Sequence, residues 1–234
     1  MKEFKVHPAI KVGGSILLVF LVIGVLVWLQ ASKDFDDTTT FGPQVTRAAE
    51  PAPPAAETRR QAIVRVLSAA ALDQTRQTLR YDPAYVHISY PGGDVPQDRG
   101  VCADVLVRAF RKIGVDLQKE VHEDMLHNFA AYPHFRGSAK PDANIDHRRV
   151  PNLMTFFKRR GAALPLTRNP TDYLPGDVVA WDLGHGQTHI GLLVNQLSPD
   201  GRRPLVVHNI GQGAREEDVL FAWKVVGHYR YPTR

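Results

Sequence analysis

Leu174-Pro175-Gly176-Asp177-Val178-Val179-Ala180-Trp181 is the stretch at which this chain changes character. Pro175-Gly176 is turn chemistry, and the β-branched run behind it suits a strand. Three more β-rich runs follow: His189 to Val194, Pro204 to His208 and Lys224 to Tyr231. Gly184, Asp200-Gly201, Gly211 and Gly213 punctuate them, and Asp200-Gly201 between two runs reads as a hairpin. Upstream the period is helical. Ile63, Val66, Leu67, Ala70 and Ala71 mark an amphipathic helix over Arg59 to Leu79. Cys102 to Ile113 is a second helix ended by Gly114, Leu117 to Phe129 a third, and Val150 to Arg160 a short one stopped by Gly161. Tyr85 to Tyr90 is a brief β-prone run, and Tyr90 to Gly100 is a loop by composition. Helices first and antiparallel strands after them predict an α+β domain, a helical layer packed on a small antiparallel sheet.

That domain occupies the C-terminal part, 58–234, of 234 residues. From Val12 to Leu29 the chain is apolar and uncharged, about the length at which a membrane-spanning helix is the default reading. Lys2, Lys5 and Lys11 precede it and place the N-terminus in the cytoplasm. The expected layout is a cytoplasmic segment 1–11, a transmembrane anchor 12–31, a Pro/Ala-rich linker 32–57 and the folded domain 58–234. The protein is then a single-pass protein of the inner (cytoplasmic) membrane, with its domain on the periplasmic, extracytoplasmic side. A cleaved signal peptide is the competing reading, but the apolar stretch exceeds the usual h-region and the cleavage signature is poor. The net charge of +5 is spread among mixed acids and bases. It predicts no nucleic-acid arm and suits an anionic partner.

Cys102 is the only cysteine. An exported domain held by disulfides would show pairs, so a single thiol is either buried or used. It opens a helix, where free N–H groups and the dipole favour a thiolate, and the sequence predicts a lowered thiol pKa. Two histidines lie beside strand-like runs, in Thr188-His189-Ile190-Gly191-Leu192 and Leu205-Val206-Val207-His208-Asn209. One cysteine with distant histidines outlines a cysteine hydrolase; the alternative is a structural cysteine acting as a small hydrophobe. His185, in a Gly-rich turn, is a competing base. His87, His122, His127 and His134 are expected on the surface. Asp146-His147 with His189 and His208 lacks the tight spacing of zinc motifs, so neither a metal nor a cofactor is expected.

Tyr90-Pro91-Gly92-Gly93, a short loop and Asp98-Arg99-Gly100-Val101-Cys102 resemble the nucleophile segment of the NlpC-type cell-wall cysteine peptidases, a compact papain-like fold. Leu174 to Val179 resembles their Pro-Gly-Asp turn, Thr188 to Leu192 their His-Val-Gly strand, and Val206 to Asn209 the strand bearing a third polar residue. The resemblance runs from Tyr90 to about Gly213. More narrowly, Tyr81 to Tyr85, Asn144 to Arg149 and Gly227 to Tyr231 look like an uncharacterised bacterial branch of that superfamily, known as a domain of unknown function. Val101-Cys102-Ala103-Asp104 stands where the NlpC-type peptidases carry Asp-Cys-Ser-Gly.

The resemblance implies Cys102 as nucleophile, His189 as base and His208 as the residue orienting it, with Asn209 as the alternative third member because neighbours on a strand face opposite ways. It implies a supporting role for Tyr90 at the oxyanion, beside the Cys102 N–H. Asp146, His147, Arg148 and Arg149 are candidate substrate-binding residues, the arginines toward a carboxylate. The function so implied is hydrolysis of an amide or peptide bond, with the cell-wall stem peptide as substrate. Two alternatives stay open: a thiol acyltransferase or lipid-ester hydrolase at the membrane, and a non-catalytic wall-binding module on the same scaffold.

Overall fold

The computed structural model describes residues 57–135 and 139–233. The expected cytoplasmic segment, the expected anchor and all of the expected linker but Glu57 lie outside the described residues. Among those described, no helix is long and apolar enough to cross a membrane.

Helix α1 (Arg59–Gln77) opens with a capping box: Thr58 Oγ1 accepts from the Gln61 N–H at 3.2 Å, and Gln61 Oε1 accepts from the Thr58 N–H at 2.8 Å. Its inner face carries Leu67 and Ala71, and Gln74 donates to the Val105 carbonyl of the next helix at 2.9 Å. The chain then makes two short strands, β1 (Arg80–Tyr81) and β2 (Arg99–Gly100), paired in parallel. Helices α2 (Cys102–Arg111), α3 (Leu117–Asn128) and α4 (Val150–Arg159) complete the helical part. The β-prone run Tyr85 to Tyr90 is not a strand. Side chains take its polar groups instead: the Ile88 N–H donates to Asn144 Oδ1 at 2.9 Å and the Tyr85 hydroxyl to Asp142 at 3.0 Å, so no ladder is needed.

The C-terminal half is a five-stranded antiparallel sheet in the order β6-β5-β4-β3-β7. Its strands are β3 (Val178–Gly184), β4 (Gln187–Leu197), β5 (Pro204–Asn209), β6 (Ala214–Glu217) and β7 (Lys224–Tyr229). Alternation divides the sheet cleanly. Val178, Ala180, Ile190, Leu192 and Val207 join the main core with Leu67, Leu106, Phe110 and Phe157 from the helices. Val179, Trp181, Leu193 and Val206 face the other way, into a smaller cluster with Leu220. The fold is therefore mixed helix and antiparallel sheet.

The Pro-Gly-Asp turn is the bolt between layers. Gly176 has φ +83°, a left-handed conformation that favours glycine. Asp177 is fully buried; it accepts from the Leu174 N–H, from His228 Nε2 at 2.9 Å, and from Arg230 at 2.7 and 2.8 Å. Arg60 of α1 reaches it at 3.3 Å. Burial pushes the carboxyl up, but His228, Arg230 and the Leu174 N–H outweigh it and hold the group below its ordinary range.

Candidate active site

Cys102 is the first residue of α2, preceded by the extended Val101. The helix start is capped from within: Asp104 folds back and accepts the Val101 N–H at 2.6 Å. Its carboxylate lies so close to Gly100 that a Cβ there would meet Asp104 Oδ2 at 2.8 Å, so only glycine fits. Arg148 holds that carboxylate in a buried bidentate pair, Nε–Oδ1 and Nη2–Oδ2 both 2.9 Å, and donates to the carbonyls of Ala84 and Asp82. One arginine thus fixes the helix that Cys102 opens to the loop beside it.

Cys102 is 5% exposed, and its sulfur receives the backbone N–H of Ile190, the residue after His189 on β4. Burial pushes the thiol up to about 12 against the N–H groups of Ile190, Ala103 and Cys102 itself, and Asp104 adds to the rise. The lowered pKa expected from the helix N-terminus is therefore not what the structure holds: desolvation outweighs the N–H groups, and the resting group is a thiol.

His189 is 3% exposed. Its Nε2 lies 2.8 Å from His208 Nδ1, and His208 Nε2 lies 2.8 Å from Glu217 Oε2 on β6. Trp181 stacks on the His189 ring with centroids 5.6 Å apart, and Trp223 meets both imidazoles edge-on. Burial, then the neighbouring His208, lowers His189 to about 3, and burial lowers His208 against the opposing pull of Glu217. Both rings are neutral at pH 7. His189 Nδ1 has no hydrogen-bond partner among the described residues. Cys102 packs on the helical side of β4 and the imidazole on the tryptophan side. No hydrogen bond joins them among the described residues, and His189 is not one of the residues that line the cleft at Cys102.

The strand settles the geometry of its two neighbours. His208 faces His189, while Asn209 faces the helices and donates to the carbonyls of Gly100 at 2.9 Å and Arg80 at 3.3 Å, bracing β1 and β2. His185 sits exposed at the β3–β4 hairpin tip with φ +52°. His87, His127 and His134 are exposed, but His122 is half-buried against the Tyr90 ring.

A cleft of about 280 Å³ opens at Cys102, walled by Tyr81, Val101, Ile145, Arg149, Gly186 and Thr188 among others. Tyr90 is not part of it; its ring lies against His122 of α3, and Tyr81 is the tyrosine at the thiol. Of the four residues from Asp146 to Arg149, two serve the scaffold. Asp146 is buried, taking the Asp142 N–H and an Arg149 Nη1 at 3.0 Å, and Arg148 is spent on Asp104. His147 is buried and lowered to about 4 by desolvation and by Arg148 and Arg111. Arg149 remains in the cleft wall, its guanidinium 4.5 Å over the Phe135 ring. A larger hollow of about 480 Å³, lined by Arg59, Ile63, Leu164 and Arg230 among others, includes neither Cys102 nor His189. Tyr81 and Glu217 were missed from sequence. Tyr81 stands in a motif that names no chemistry, and Ala214-Arg215-Glu216-Glu217 has no apolar alternation to mark a strand.

Comparison with known proteins places these features in a family. The chain is 59% identical over 161 residues to the uncharacterized protein YijF of Escherichia coli (strain K12), covering 69% of this chain and 78% of that one. A solved structure from Staphylococcus aureus subsp. aureus Mu50, described as similar to a lipoprotein of the NLP/P60 family, aligns with a TM-score of 0.37 at 13% identity. That alignment covers 77% of this chain and 44% of the other. The family model for a domain of unknown function, DUF1287, matches residues 68–231, and the chain belongs to that family.

Proposed function

We propose that this protein is an exported, membrane-anchored cysteine hydrolase of papain-like, NlpC-type architecture that cleaves an amide or peptide bond in cell-wall stem peptides. The observation that carries the reading is a cleft-facing cysteine at a helix N-terminus, its sulfur on the N–H of the residue that follows a buried, paired histidine. Cys102 Sγ attacks the carbonyl carbon, and its proton passes to the bare Nδ1 of His189. The collapse of the tetrahedral adduct returns that proton to the departing amine and leaves a thioester, which water then hydrolyses with His189 again as base. The oxyanion sits toward the N–H groups at the start of α2. Arg149 offers a cation to a substrate carboxylate, the group in which stem peptides are rich. The apolar N-terminal run keeps the domain beside the wall.

The test is incubation of the full chain in detergent with purified wall material and mass spectrometry of the released fragments. Release of peptides by the wild type, its loss in Cys102→Ala, and a fall of about 10–1000-fold in His208→Ala are expected; this corresponds to about 1.4–4 kcal/mol of barrier. Asn209→Ala should lower the melting temperature more than the rate per folded molecule, since it unties Gly100 and Arg80. Fragment release that survives Cys102→Ala would refute the assignment.

A further inference from the structure

We infer that Glu217 is a positioning residue that sets the tautomers of both site histidines and so leaves His189 Nδ1 as the free base; the inference rests on the hydrolase reading above. The argument is hydrogen counting. Glu217 Oε2, at 2.8 Å from His208 Nε2, is a carboxylate oxygen on an edge strand and accepts here. His208 must therefore carry its hydrogen on Nε2. Being neutral, it then has a bare Nδ1, which can only accept. The partner at 2.8 Å is His189 Nε2, which must donate. A neutral His189 with its hydrogen on Nε2 has a bare Nδ1, the one ring nitrogen of the pair without a partner among the described residues. Every position in the chain Glu217–His208–His189 is thus determined by the carboxylate at its far end.

The same chain serves the charged state. When His189 takes the thiol proton on Nδ1, it becomes an imidazolium that still donates from Nε2 to His208, and no second proton moves. Glu217 lies two residues away in contact terms, its side chain 42% exposed, and supplies the negative charge that the buried pair otherwise lacks. Trp181 and Trp223 keep water from competing for the His189–His208 bond. β6 is an edge strand, so this carboxylate reaches the buried imidazoles from the rim of the sheet rather than through the core.

The experiment reads tautomers directly. In full-length protein labelled with ¹⁵N-histidine and held in detergent at pH 7.5, long-range ¹⁵N–¹H correlation should show both His189 and His208 with hydrogen on Nε2. Glu217→Ala should turn these signals into a mixture of tautomers and slow the release of wall peptide about 10-fold, or about 1.4 kcal/mol of barrier. Glu217→Gln, which can still accept through its amide oxygen and matches the native size, should keep the Nε2 tautomers while losing part of the rate. A purely structural glutamate would leave the tautomers of a folded Glu217→Ala unchanged. That result, or a wild-type His189 with hydrogen on Nδ1, overturns the inference. Tautomer control without any release of wall peptide would instead sink only the assignment of substrate.

Discussion

At the scale of single residues, the site is a resting pair of neutral groups. Burial holds Cys102 up near 12 and His189 down near 3, so at pH 7 the thiol keeps its proton and the imidazole is free to take it. This differs from the thiolate–imidazolium pair that a helix N-terminus alone would favour, because the sulfur is closed off from water as well as dipole-stabilised. In the proposed reaction, proton transfer then accompanies attack on the substrate rather than preceding it. The consequence is measurable without a substrate. Alkylation of Cys102 by iodoacetamide in the folded protein should rise about tenfold per pH unit from pH 7 to 9, tracking the thiolate fraction. A rate already on its plateau at pH 6 would mean that the ion pair is preformed and that burial is not the dominant influence.

At the scale of elements, the sheet was readable because its strands are punctuated β-branched runs, and β3, β4, β5 and β7 lie where turn residues delimit them. β6 was not, because Ala214-Arg215-Glu216-Glu217 buries little and pairs along an edge, so its pattern is polar throughout. The loop before α2 was harder still. Its tyrosines are placed by tertiary partners, His122 for Tyr90 and the cleft for Tyr81, and spacing along the chain says nothing about which reaches the thiol. The order of Cys102, Asp177, His189 and His208 was legible for the same reason as the strands: each sits at an element end marked by Gly, Pro or a capping acid. Arg148 shows the opposite limit, since an arginine beside another arginine reads as substrate recognition while the fold uses it as a buried tie. Removing it leaves the buried Asp104 carboxyl without its partner. Arg148→Ala should therefore cost about 3–5 kcal/mol of stability, and Arg148→Lys should recover little, because an ammonium cannot make the two-pronged contact. Denaturant melts of the three proteins check this; a loss below about 1 kcal/mol in the alanine variant would return Arg148 to a surface role.

At the scale of the whole molecule, the buried titratable groups confine stability to a band of pH. His189 and His147 have folded pKa values near 3 and 4, below the unfolded value of about 6.5, so the unfolded chain binds more protons between those limits. Stability from keeping these rings neutral is complete above pH 6.5 and is lost as pH falls toward 4. At pH 5 each ring favours the unfolded state by about 2 kcal/mol, together a large share of a typical domain's stability. Cys102 limits the other side: its folded pKa is raised, so the unfolded thiol ionises first and stability declines as pH climbs above about 8.5. The buried hydroxyl of Tyr229, pushed up to about 12, adds a second loss above pH 10. Melting temperature followed by circular dichroism should therefore form a plateau between about pH 6.5 and 8.5 and fall on both sides. His147 has a buried Nδ1 without a partner among the described residues, so His147→Phe removes a titrating ring at no hydrogen-bond cost at that atom. The variant should lose about half as much melting temperature as the wild type between pH 7.5 and 5, while His208→Ala should not reproduce that rescue, because it exposes His189 to a cavity. A wild-type melting temperature that is flat from pH 7.5 to 5 would show that both rings are protonated in the folded state. The description of His189 as held neutral by burial well below its ordinary range would then have to be withdrawn along with the stability argument.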